Sequence, residues 1–511
     1  MKKIAHLLLG RFSIVAVSII LQFFWLVMVM YQFSYQFTYA NLAIRVIAII
    51  VVLVIVNRWT NPANKLSWTF IILLSPVLGL LLYMIFGRSS LTKKTQERMD
   101  SVNREVSACL YQTPEIKEQL AREDLSVYRQ SRYINDWAGF PLYHNTSTKY
   151  YSCGEEMFQD MLAELEKAEH FIFLEYFIVD QGVMFDRIVE VLEQKSKEGV
   201  DVRLIYDDIG CINTLPPKYY KILQAKGIKC AAFNPFRPIM SVIMNNRDHR
   251  KIFVVDGKVG FTGGINLADE YINVASRFGY WKDTGIRLEG EAVWSMTVMF
   301  LEMWNYINHS SEDYKQFMPQ VYQKEPFEGD GFVQPYGDTP LDHETVGENI
   351  YLNIINHAER YVYIFTPYLI IDNEMLVSLC NAAKRGVDVR IVTPGIPDKK
   401  MIFLLTQSHY EPLLKCGVKI YQYTPGFIHA KSFLCDDKIG TVGSINLDYR
   451  SLFLHFECGV FMYKTKALMQ LKEDCMDTFA ASEEMTLEFC RGQNVFIRIF
   501  QGMMRLFAPL L

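Results

Sequence analysis

One pattern occurs twice in this chain and constrains its fold more than any other feature. The first copy reads His-Arg-Lys-Ile-Phe-Val-Val-Asp at 249–256, and Gly-Gly-Ile-Asn-Leu follows at 263–267. The second copy reads His-Ala-Lys-Ser-Phe-Leu-Cys-Asp at 429–436, and Gly-Ser-Ile-Asn-Leu follows at 443–447. Since the gap between the two strings is the same in both copies, the sequence predicts two copies of one half-site.

The regions before the two patterns also match each other. Each contains a buried-strand pattern, an amphipathic helical pattern and a second strand that begins at Gly-Val-Asp-Val, which is typical of a βαβ unit. These segments are 171–179, 183–197 and 199–206 in the first region, and 361–365, 373–384 and 386–392 in the second. We therefore predict an α/β fold built by an internal duplication that spans roughly 150–300 and 340–480.

The N-terminal region is apolar enough to enter a membrane. Apolar runs occur at 12–31, 42–56 and 68–86, and the first is long enough to span a bilayer. Half of the chain is apolar, which also favours a membrane segment over a wholly soluble protein. We predict N-terminal transmembrane helices and a multi-pass protein of the cell membrane.

These features divide the chain into four predicted parts. The membrane anchor covers 1–88, and a polar linker covers 89–145. The first α/β lobe covers 146–325, and the second covers 326–511 and ends in a helical segment.

The basic residues predict how the anchor crosses the membrane, because positively charged loops stay on the cytoplasmic side. The basic residues that flank the apolar runs are Lys2, Lys3, Arg11, Arg58, Lys65, Arg88, Lys93 and Lys94. All of these basic flanks are cytoplasmic if the first two apolar runs cross the membrane and the third enters it and returns to the same side. The third run would then break near Pro76 and Gly79. This arrangement predicts a cytoplasmic catalytic domain. A shallow hairpin of the second and third runs, or a kinked but complete third span, are the alternatives.

Strand geometry predicts that the reactive side chains of each pattern lie together. Residues two apart on a strand point to one face, so His249 and Lys251 share a face, as do His429 and Lys431. An ammonium and an imidazole on one face suit a phosphate ester. The lysine holds the non-bridging oxygens, while the histidine acts as nucleophile or general acid.

Two half-sites supply a nucleophile on one side of phosphorus and a proton donor on the other, as in-line displacement requires. The intermediate would be a phosphohistidine. We expect no metal and no cofactor, since the two lysines with Asn266 and Asn446 can neutralise the developing charge. The glycines beside the asparagines predict that the backbone closely approaches a small, oxygen-rich ligand. Asp256 and Asp436 lie at the turns with the opposite parity, so they are expected to orient the site or to form structural salt bridges.

The two patterns and their flanks resemble the phospholipase D superfamily, and the whole chain is similar to its bacterial cardiolipin synthases. The similar segments are Asn61-Pro62, Lys65-Leu-Ser-Trp68, Ser75-Pro-Val-Leu-Gly79, Tyr83-Met-Ile-Phe-Gly-Arg88, Leu174-Glu-Tyr-Phe177, Asn246-Arg-Asp-His-Arg-Lys251, Thr366-Pro-Tyr368 and Phe427-Ile-His-Ala-Lys431. The resemblance implies two phospholipase D-like α/β/α lobes with the active site at their junction. It also implies reversible phosphatidyl transfer between two phosphatidylglycerol molecules, which gives cardiolipin and glycerol.

The resemblance also implies roles for individual residues. His249 would be the nucleophile and His429 the general acid and base, although the residues alone allow the reverse assignment. Lys251 and Lys431 would hold the phosphate. The other implied site residues are Asp256, Asp436, Asn266, Asn446, Ser444, Glu457 and Asp283. Among these, Glu457 would orient the opposing histidine, and Asp283 is its rough counterpart in the first half. Ser444 stands where the first copy has Gly264, and its hydroxyl is expected to donate to phosphate.

The motif does not encode the acceptor alcohol, so other functions stay open at this stage. A phospholipase D-type hydrolase or a phosphatidylserine synthase would use the same site, and a nuclease would share the superfamily. A net charge of −4 argues against a nucleic-acid partner, and two intact motifs argue against a non-catalytic scaffold. We therefore predict a phosphatidyltransferase whose partners are phosphatidylglycerol, other anionic phospholipids and the bilayer.

Two further features carry expectations of their own. Arg491, Arg498 and Arg505 recur every seven residues among apolar residues. That spacing fits a helix lying on anionic lipid, and equally a helix packed on the core. His455 follows the second pattern on an apolar strand, where we expect a buried histidine with satisfied hydrogen bonds.

Overall fold

The computed structural model describes Phe24, Trp25, Met28, Gln32 and residues 38–87, 109–235, 246–323, 325–342 and 344–510. The chain forms two compact units. Unit 1 consists of Met1–Leu91, Phe236–Asn246 and Gly502–Leu511, and unit 2 consists of Thr92–Pro235 and Arg247–Gln501.

Unit 1 contains the apolar helices α1 (Thr38–Val56), α2 (Pro62–Leu74) and α3 (Pro76–Phe86). Within α1, Tyr39–Val56 has a mean hydropathy of 2.6 and, among the described residues, is the segment long and apolar enough to cross a membrane. The predicted run 12–31 lies outside the described residues, apart from the three that fall within it.

The predicted third run is two helices rather than one. The break falls at Ser75, because Pro76 lacks a backbone N–H and favours the first position of a new helix. The two helices then approach closely at Gly79, where an added Cβ would lie 2.5 Å from Cα of Ile72. The predicted break near Pro76 is therefore present in the structure.

Unit 2 is built from two β-sheets flanked by helices. The strands of its first half are β1 (Thr146–Tyr151), β2 (Phe171–Tyr176), β3 (Asp201–Asp207), β4 (Lys229–Phe233), β5 (Arg247–Asp248), β6 (Lys251–Val255), β7 (Val259–Gly263), β8 (Tyr280–Lys282) and β9 (Gly285–Gly290). The strands of its second half are β10 (Phe332–Asp338), β11 (Tyr361–Phe365), β12 (Asp388–Pro394), β13 (Lys419–Tyr423), β14 (Gly426–Ile428), β15 (Ser432–Cys435), β16 (Ile439–Gly443), β17 (His455–Tyr463) and β18 (Ser482–Glu484).

The helices of unit 2 pack on both faces of these sheets. They are α4 (Pro114–Glu123), α5 (Leu125–Ala138), α6 (Gly154–Glu166), α7 (Val183–Lys197), α8 (Tyr220–Ala225), α9 (Val293–Asn308), α10 (Pro319–Tyr322), α11 (Val346–His357), α12 (Asn373–Lys384), α13 (Lys400–Gln407), α14 (Tyr410–Lys415), α15 (Tyr449–Phe453), α16 (Lys466–Ala480) and α17 (Leu487–Gly492). The last helix, α18 (Val495–Phe507), begins in unit 2, and its residues from Gly502 belong to unit 1. In the stretch predicted as a linker, Leu120, Val127 and Ile134 are buried in the core of unit 2.

The two sheets repeat one strand order. The first runs β1-β9-β7-β6-β2-β3-β4, and the second runs β10-β17-β16-β15-β11-β12-β13 before it ends at β18. In both, the strand before the crossover helix pairs in parallel with the strand after it and antiparallel with the strand of the repeated pattern. The predicted crossover helices, 183–197 and 373–384, have the observed bounds of α7 and α12.

Each half also lends a short strand to the other. Strand β5 pairs in parallel with β17 of the second half, and β14 pairs in parallel with β8 of the first half. Because β5 precedes His249 and β14 precedes His429, these exchanged strands carry the two histidines to the junction of the halves.

Candidate active site

The histidine of each pattern lies just before its strand rather than on it. The sequence predicts a strand from His249, but β6 begins at Lys251, because His249 follows the exchanged strand and its N–H donates to Phe456 O at 2.9 Å. The ammonium of Lys251 donates to the carbonyl of His249 at 2.5 Å. The second half repeats this contact, with Lys431 Nζ donating to the carbonyl of His429. Lysine and histidine are therefore neighbours in each half through a direct hydrogen bond.

Each imidazole is held by a carboxylate from the other half. Nδ1 of His249 lies 2.9 and 3.0 Å from the two carboxylate oxygens of Glu457. Nδ1 of His429 lies 2.7 Å from Oδ2 of Asp283. A proton on Nδ1 donates to the carboxylate and leaves Nε2 as the ring nitrogen available for chemistry. The structure thus brings His249 together with Glu457, the acid expected to orient the opposing histidine, and His429 together with Asp283, the other implied acid.

The electrostatics of the site come from burial and from its two ammonium groups. Burial, and then the adjacent lysine charges, hold the pKa values of His249 and His429 well below their usual value. Burial also lowers the pKa of Lys251 to about 8 and that of Lys431 to about 7. Burial raises the pKa of Asp283 to about 6. Both imidazoles are therefore neutral at neutral pH, as a nucleophile requires.

The two aspartates of the patterns serve the backbone. The carboxylate of Asp256 accepts from the N–H groups of Glu169, His170 and Phe171 at 2.8 to 2.9 Å. Asp436 accepts in the same way from the N–H groups of residues 359–361. Each aspartate thus fixes the start of the strand beside its pattern. These contacts fit the expected orienting role. They are hydrogen bonds to the backbone, whereas the alternative was a pair of structural salt bridges.

The turn at each aspartate has the backbone of a tight hairpin. Asp256 and Gly257 have φ of 50° and 65°, and Asp436 and Asp437 have φ of 55° and 63°. Two successive positive φ angles are typical of a type I′ turn, which matches the twist of the two strands it joins. The turns expected at Asp256 and Asp436 are therefore both present, each as a tight hairpin.

The glycines after each strand make room for protein rather than for a ligand. An added Cβ at Gly264 would lie 2.0 Å from Oδ1 of Asp283. The second half has Ser444 at this position, and its hydroxyl donates to Oε2 of Glu457. Gly264 therefore leaves room for the side chain of Asp283, while Ser444 binds the longer side chain of Glu457. The close approach that the sequence predicts at Gly264 is therefore made to Asp283, which lies between β8 and β9.

The two asparagines of the patterns are buried but have different partners. Asn266 accepts from the N–H of Ile178 at 3.0 Å and donates to the Tyr271 hydroxyl at 2.8 Å. Asn446 has an Oδ1 that accepts no hydrogen bond from any described residue. The hydroxyl of Ser444, expected to donate to phosphate, is already engaged by Glu457.

His455 is a neighbour of His249, which the sequence did not predict. Its side chain is only 10% exposed, as expected, but neither ring nitrogen makes a hydrogen bond with a described residue. Its ring centroid lies 5.6 Å from that of His249, and its Nδ1 lies 3.8 Å from Oε1 of Glu457. Burial lowers its pKa to about 4. The prediction of satisfied hydrogen bonds was wrong, because neither ring nitrogen of His455 reaches a donor or an acceptor among the described residues.

Among the described residues, one group also has metal-ligand spacing. Single donor atoms of His249, His455 and Glu457 lie within 4.8 Å of one another, a donor set that zinc accepts. Two of these donors already form the hydrogen bond between His249 and Glu457.

A buried ionic network supports the segment that carries His249. Arg250 lies between Glu175 and Asp248, at 2.7 and 3.1 Å from their carboxylate oxygens. Arg247 pairs with Asp207 at 3.2 Å, and all of these side chains are almost fully buried. Sequence reasoning missed this network, because Glu175 and Asp207 lie far along the chain from residues 247–250, and Arg250 is its one member inside the repeated pattern.

Models of known protein families match three segments of this chain. The family described as "Cardiolipin synthase, PLD-like domain" matches residues 161–276 and 351–477, one segment in each half of unit 2. The chain belongs to this family. The predicted fold of two duplicated phospholipase D-like lobes is therefore confirmed. A second family, described as "Phospholipase_D-nuclease N-terminal", matches 46–88.

Individual relatives cover almost the whole chain. An uncharacterised protein of Streptococcus mutans is 46% identical, over 90% of this chain and 99% of its own length. Cardiolipin synthase 1 of Bacillus cereus is 34% identical over 100% of both chains. The cardiolipin synthase of Geobacillus kaustophilus is 34% identical over 91% of this chain and 92% of its own.

A solved structure shares the fold. The crystal structure of phosphatidylserine synthase from Haemophilus influenzae has a TM-score of 0.53 and covers 76% of this chain and 98% of its own. Its sequence identity is 13%, so this likeness shows the fold alone.

Proposed function

We propose that the protein is a cardiolipin synthase, a phosphatidyltransferase that joins two phosphatidylglycerol molecules into cardiolipin and releases glycerol. The observation that carries this proposal is the pair of histidines, each beside a lysine and each held by an acid from the other half. The relatives named cardiolipin synthase, similar over nearly the full chain, favour this acceptor over water or serine.

The reaction proceeds in two in-line steps. In the first, Nε2 of His249 attacks phosphorus, the bond to the glycerol oxygen breaks, and His429 gives that oxygen its proton. In the second, His429 takes the proton from the glycerol hydroxyl of the second phosphatidylglycerol, whose oxygen attacks the phosphohistidine and displaces His249. Lys251 and Lys431 carry the positive charge that faces the non-bridging oxygens in both steps.

The surroundings of the two acids support these roles. Glu457 accepts hydrogen bonds from Ser444 and Ser451 as well as from His249, which holds its carboxylate in place beside Nδ1. Burial raises the pKa of Asp283 to about 6, so its carboxylate is still mostly ionised at neutral pH and accepts the Nδ1 proton of His429. Once an anionic phosphate binds, its charge also raises the pKa of both histidines.

An assay with labelled phosphatidylglycerol tests the activity. The full-length protein in detergent–lipid micelles is expected to give cardiolipin and equal amounts of free glycerol. His249→Ala and His429→Ala are each expected to lower this rate by at least ~10³-fold, since each removes a group needed in both steps. Phosphatidic acid as the main wild-type product would refute the proposal, as would full activity in His249→Ala.

A second substrate distinguishes the nucleophile from the general acid. A phosphatidyl ester whose alcohol leaves as a stable anion needs no proton in the first step. With this ester, His429→Ala is expected to release the alcohol in a burst and to accumulate a phosphatidyl group bound to His249. His249→Ala is expected to give no burst. The opposite result would assign the nucleophile to His429.

We propose that α1 spans the membrane, that α2 and α3 form a re-entrant hairpin, and that unit 2 is cytoplasmic, in a multi-pass protein. Helices of 13 and 11 residues reach only about 20 and 17 Å, less than the roughly 30 Å of the hydrocarbon core. Tyr39 and Trp59, both exposed, flank α1 at its two ends. An impermeant thiol reagent is expected to label Tyr39→Cys in intact cells, and Trp59→Cys only after the cells are opened. Labelling in the reverse order would invert this topology.

A further inference from the structure

Helix α18 presents its large apolar side chains outward. Val495, Phe496, Ile499 and Met503 are 60%, 76%, 57% and 59% exposed. Positions spaced by four residues lie on one side of a helix, and Phe496 adjoins Val495 on that side. We call these four residues the C-terminal apolar face.

The same helix turns a polar residue inward. Gln501 is its buried residue, with 6% of its surface exposed, and its Nε2 makes no hydrogen bond with a described residue. A helix on the surface of a soluble protein has the opposite arrangement, with its apolar stripe against the core. The orientation of α18 therefore fits an apolar partner on its outer side.

Positive charge surrounds the C-terminal apolar face. Arg491, Arg498 and Arg505 are exposed, and Glu488 is the single acidic residue between Leu487 and the C-terminus. Arg498 lies 3.8 Å from Glu411, whose charge is shared with Lys415 at 2.8 Å. Long arginine side chains can extend from an apolar surface to phosphate groups. The chemistry of the helix thus matches acyl chains bordered by anionic head groups.

The last turn of α18 belongs to the unit that holds the membrane-spanning helix. Within unit 1, the hydroxyl of Ser67 donates to the carbonyl of Leu506 at 2.6 Å. The Phe507 ring packs edge-on against Phe70 of α2, with centroids 6.1 Å apart. The end of α18 is therefore part of the same apolar unit as α1.

We propose that α18 lies in the surface of an anionic phospholipid bilayer, with its apolar face among the acyl chains and its arginines at the phosphates. This membrane contact would add to that of the spanning helix. It goes beyond the proposed function, because α18 lies outside both repeated patterns. A basic, strongly amphipathic helix of this kind is typical of interfacial membrane binding.

Photocross-linking of the full-length protein in vesicles of phosphatidylglycerol and phosphatidylethanolamine tests this proposal. One protein carries the photoreactive residue p-benzoylphenylalanine in place of Phe496, and a second carries it in place of Ile499. The matched control carries it in place of Arg498, on the other side of the same helix. We expect phospholipid adducts at positions 496 and 499 at least ~10-fold more often than at 498, measured by mass spectrometry.

A charge variant tests the preference for anionic lipid. In Arg491→Gln/Arg498→Gln, the ratio of phosphatidylglycerol to phosphatidylethanolamine among adducts at position 496 is expected to fall at least ~3-fold. Equal lipid adducts at 496 and 498 would overturn the proposal. So would a cross-linked dimer as the main product at 496, since it would assign the face to a second copy of the chain. An unchanged lipid ratio in the charge variant would overturn the anionic part.

Discussion

Replacing Glu457 by glutamine isolates the acid that holds the proposed nucleophile. The amide keeps the shape of the side chain, but it removes the negative charge and one of the two oxygens that face Nδ1 of His249 at 2.9 and 3.0 Å. A hydrogen bond to a charged group contributes about 1.5–3 kcal/mol. Losing that contribution in the transition state lowers kcat by about 10- to 150-fold.

The direction of the effect follows from the proton on the imidazole. If the amide group of the new side chain donates to Nδ1, the imidazole carries its proton on Nε2, which is the proposed attacking atom. The neutral amide also stabilises the positive charge of a phosphohistidine less than a carboxylate does. Both effects slow the first step, so the burst with an activated phosphatidyl ester is expected to slow by the same factor as kcat.

The assay compares initial rates of cardiolipin formation in Glu457→Gln, Glu457→Asp and a matched control. Glu312→Gln is the control, because Glu312 pairs with Arg203 at 2.8 Å, away from both repeated patterns. We expect the control to keep its rate and Glu457→Asp to fall between the other two. A Glu457→Gln protein that folds normally and stays within about threefold of wild type would refute the argument that this acid sets the state of His249.

Three further predictions concern the lysines, one glycine and one aspartate. The lowered pKa values of Lys251 and Lys431, about 8 and 7, mean that both ammonium groups lose their protons as pH rises, so kcat/KM is expected to fall above about pH 7 and more steeply above about pH 8. At the acidic end of the pH profile, protonation of the histidines is expected to lower kcat/KM only below pH 6.5, because the pKa values of His249 and His429 lie well below that value. Gly264→Ala places a Cβ against Asp283 and is expected to lower kcat more than ~10-fold. Asp256→Ala leaves three backbone N–H groups without their acceptor, so unfolding should require about 3 kcal/mol less free energy, with a smaller effect on turnover.

Separate measurements check these outcomes. A pH profile of kcat/KM that stays flat from pH 7 to 10 would contradict the lysine argument. For the glycine, Gly492→Ala is the control, since nothing lies within 4 Å of its added Cβ. For the aspartate, chemical denaturation gives the loss in stability, and unchanged stability with lost turnover would place Asp256 in the chemistry instead.

The repeated elements could be predicted because their signals are local. Helices 183–197 and 373–384 were bounded correctly, since each has an apolar period of 3.6 residues and ends before a Gly-Val-Asp-Val strand. The turns at Asp256 and Asp436 were also expected, and the structure shows a tight hairpin at both. The resemblance paired Glu457 with the opposing histidine, and the observed contact joins residues 208 positions apart.

Other parts of the site could not be read from local patterns. The start of β6 at Lys251 depends on a strand exchange with β17, which a period of two residues does not reveal. The close approach at Gly264 involves Asp283, an acid between β8 and β9, so the glycine alone could not show that its partner is protein. The unpaired nitrogens of His455 likewise depend on packing around His249.

The exchange of short strands has a consequence for how the chain folds during its synthesis. During synthesis, His249 emerges from the ribosome long before Glu457, so neither histidine is fully held until the second half has folded. A half-finished chain therefore cannot act on the lipids around it. The same reciprocity is the symmetry of a homodimer in which each subunit supplies the acid for its partner's histidine. Because both halves belong to one chain, they can differ in sequence, as Gly264 with Asp283 differs from Ser444 with Glu457.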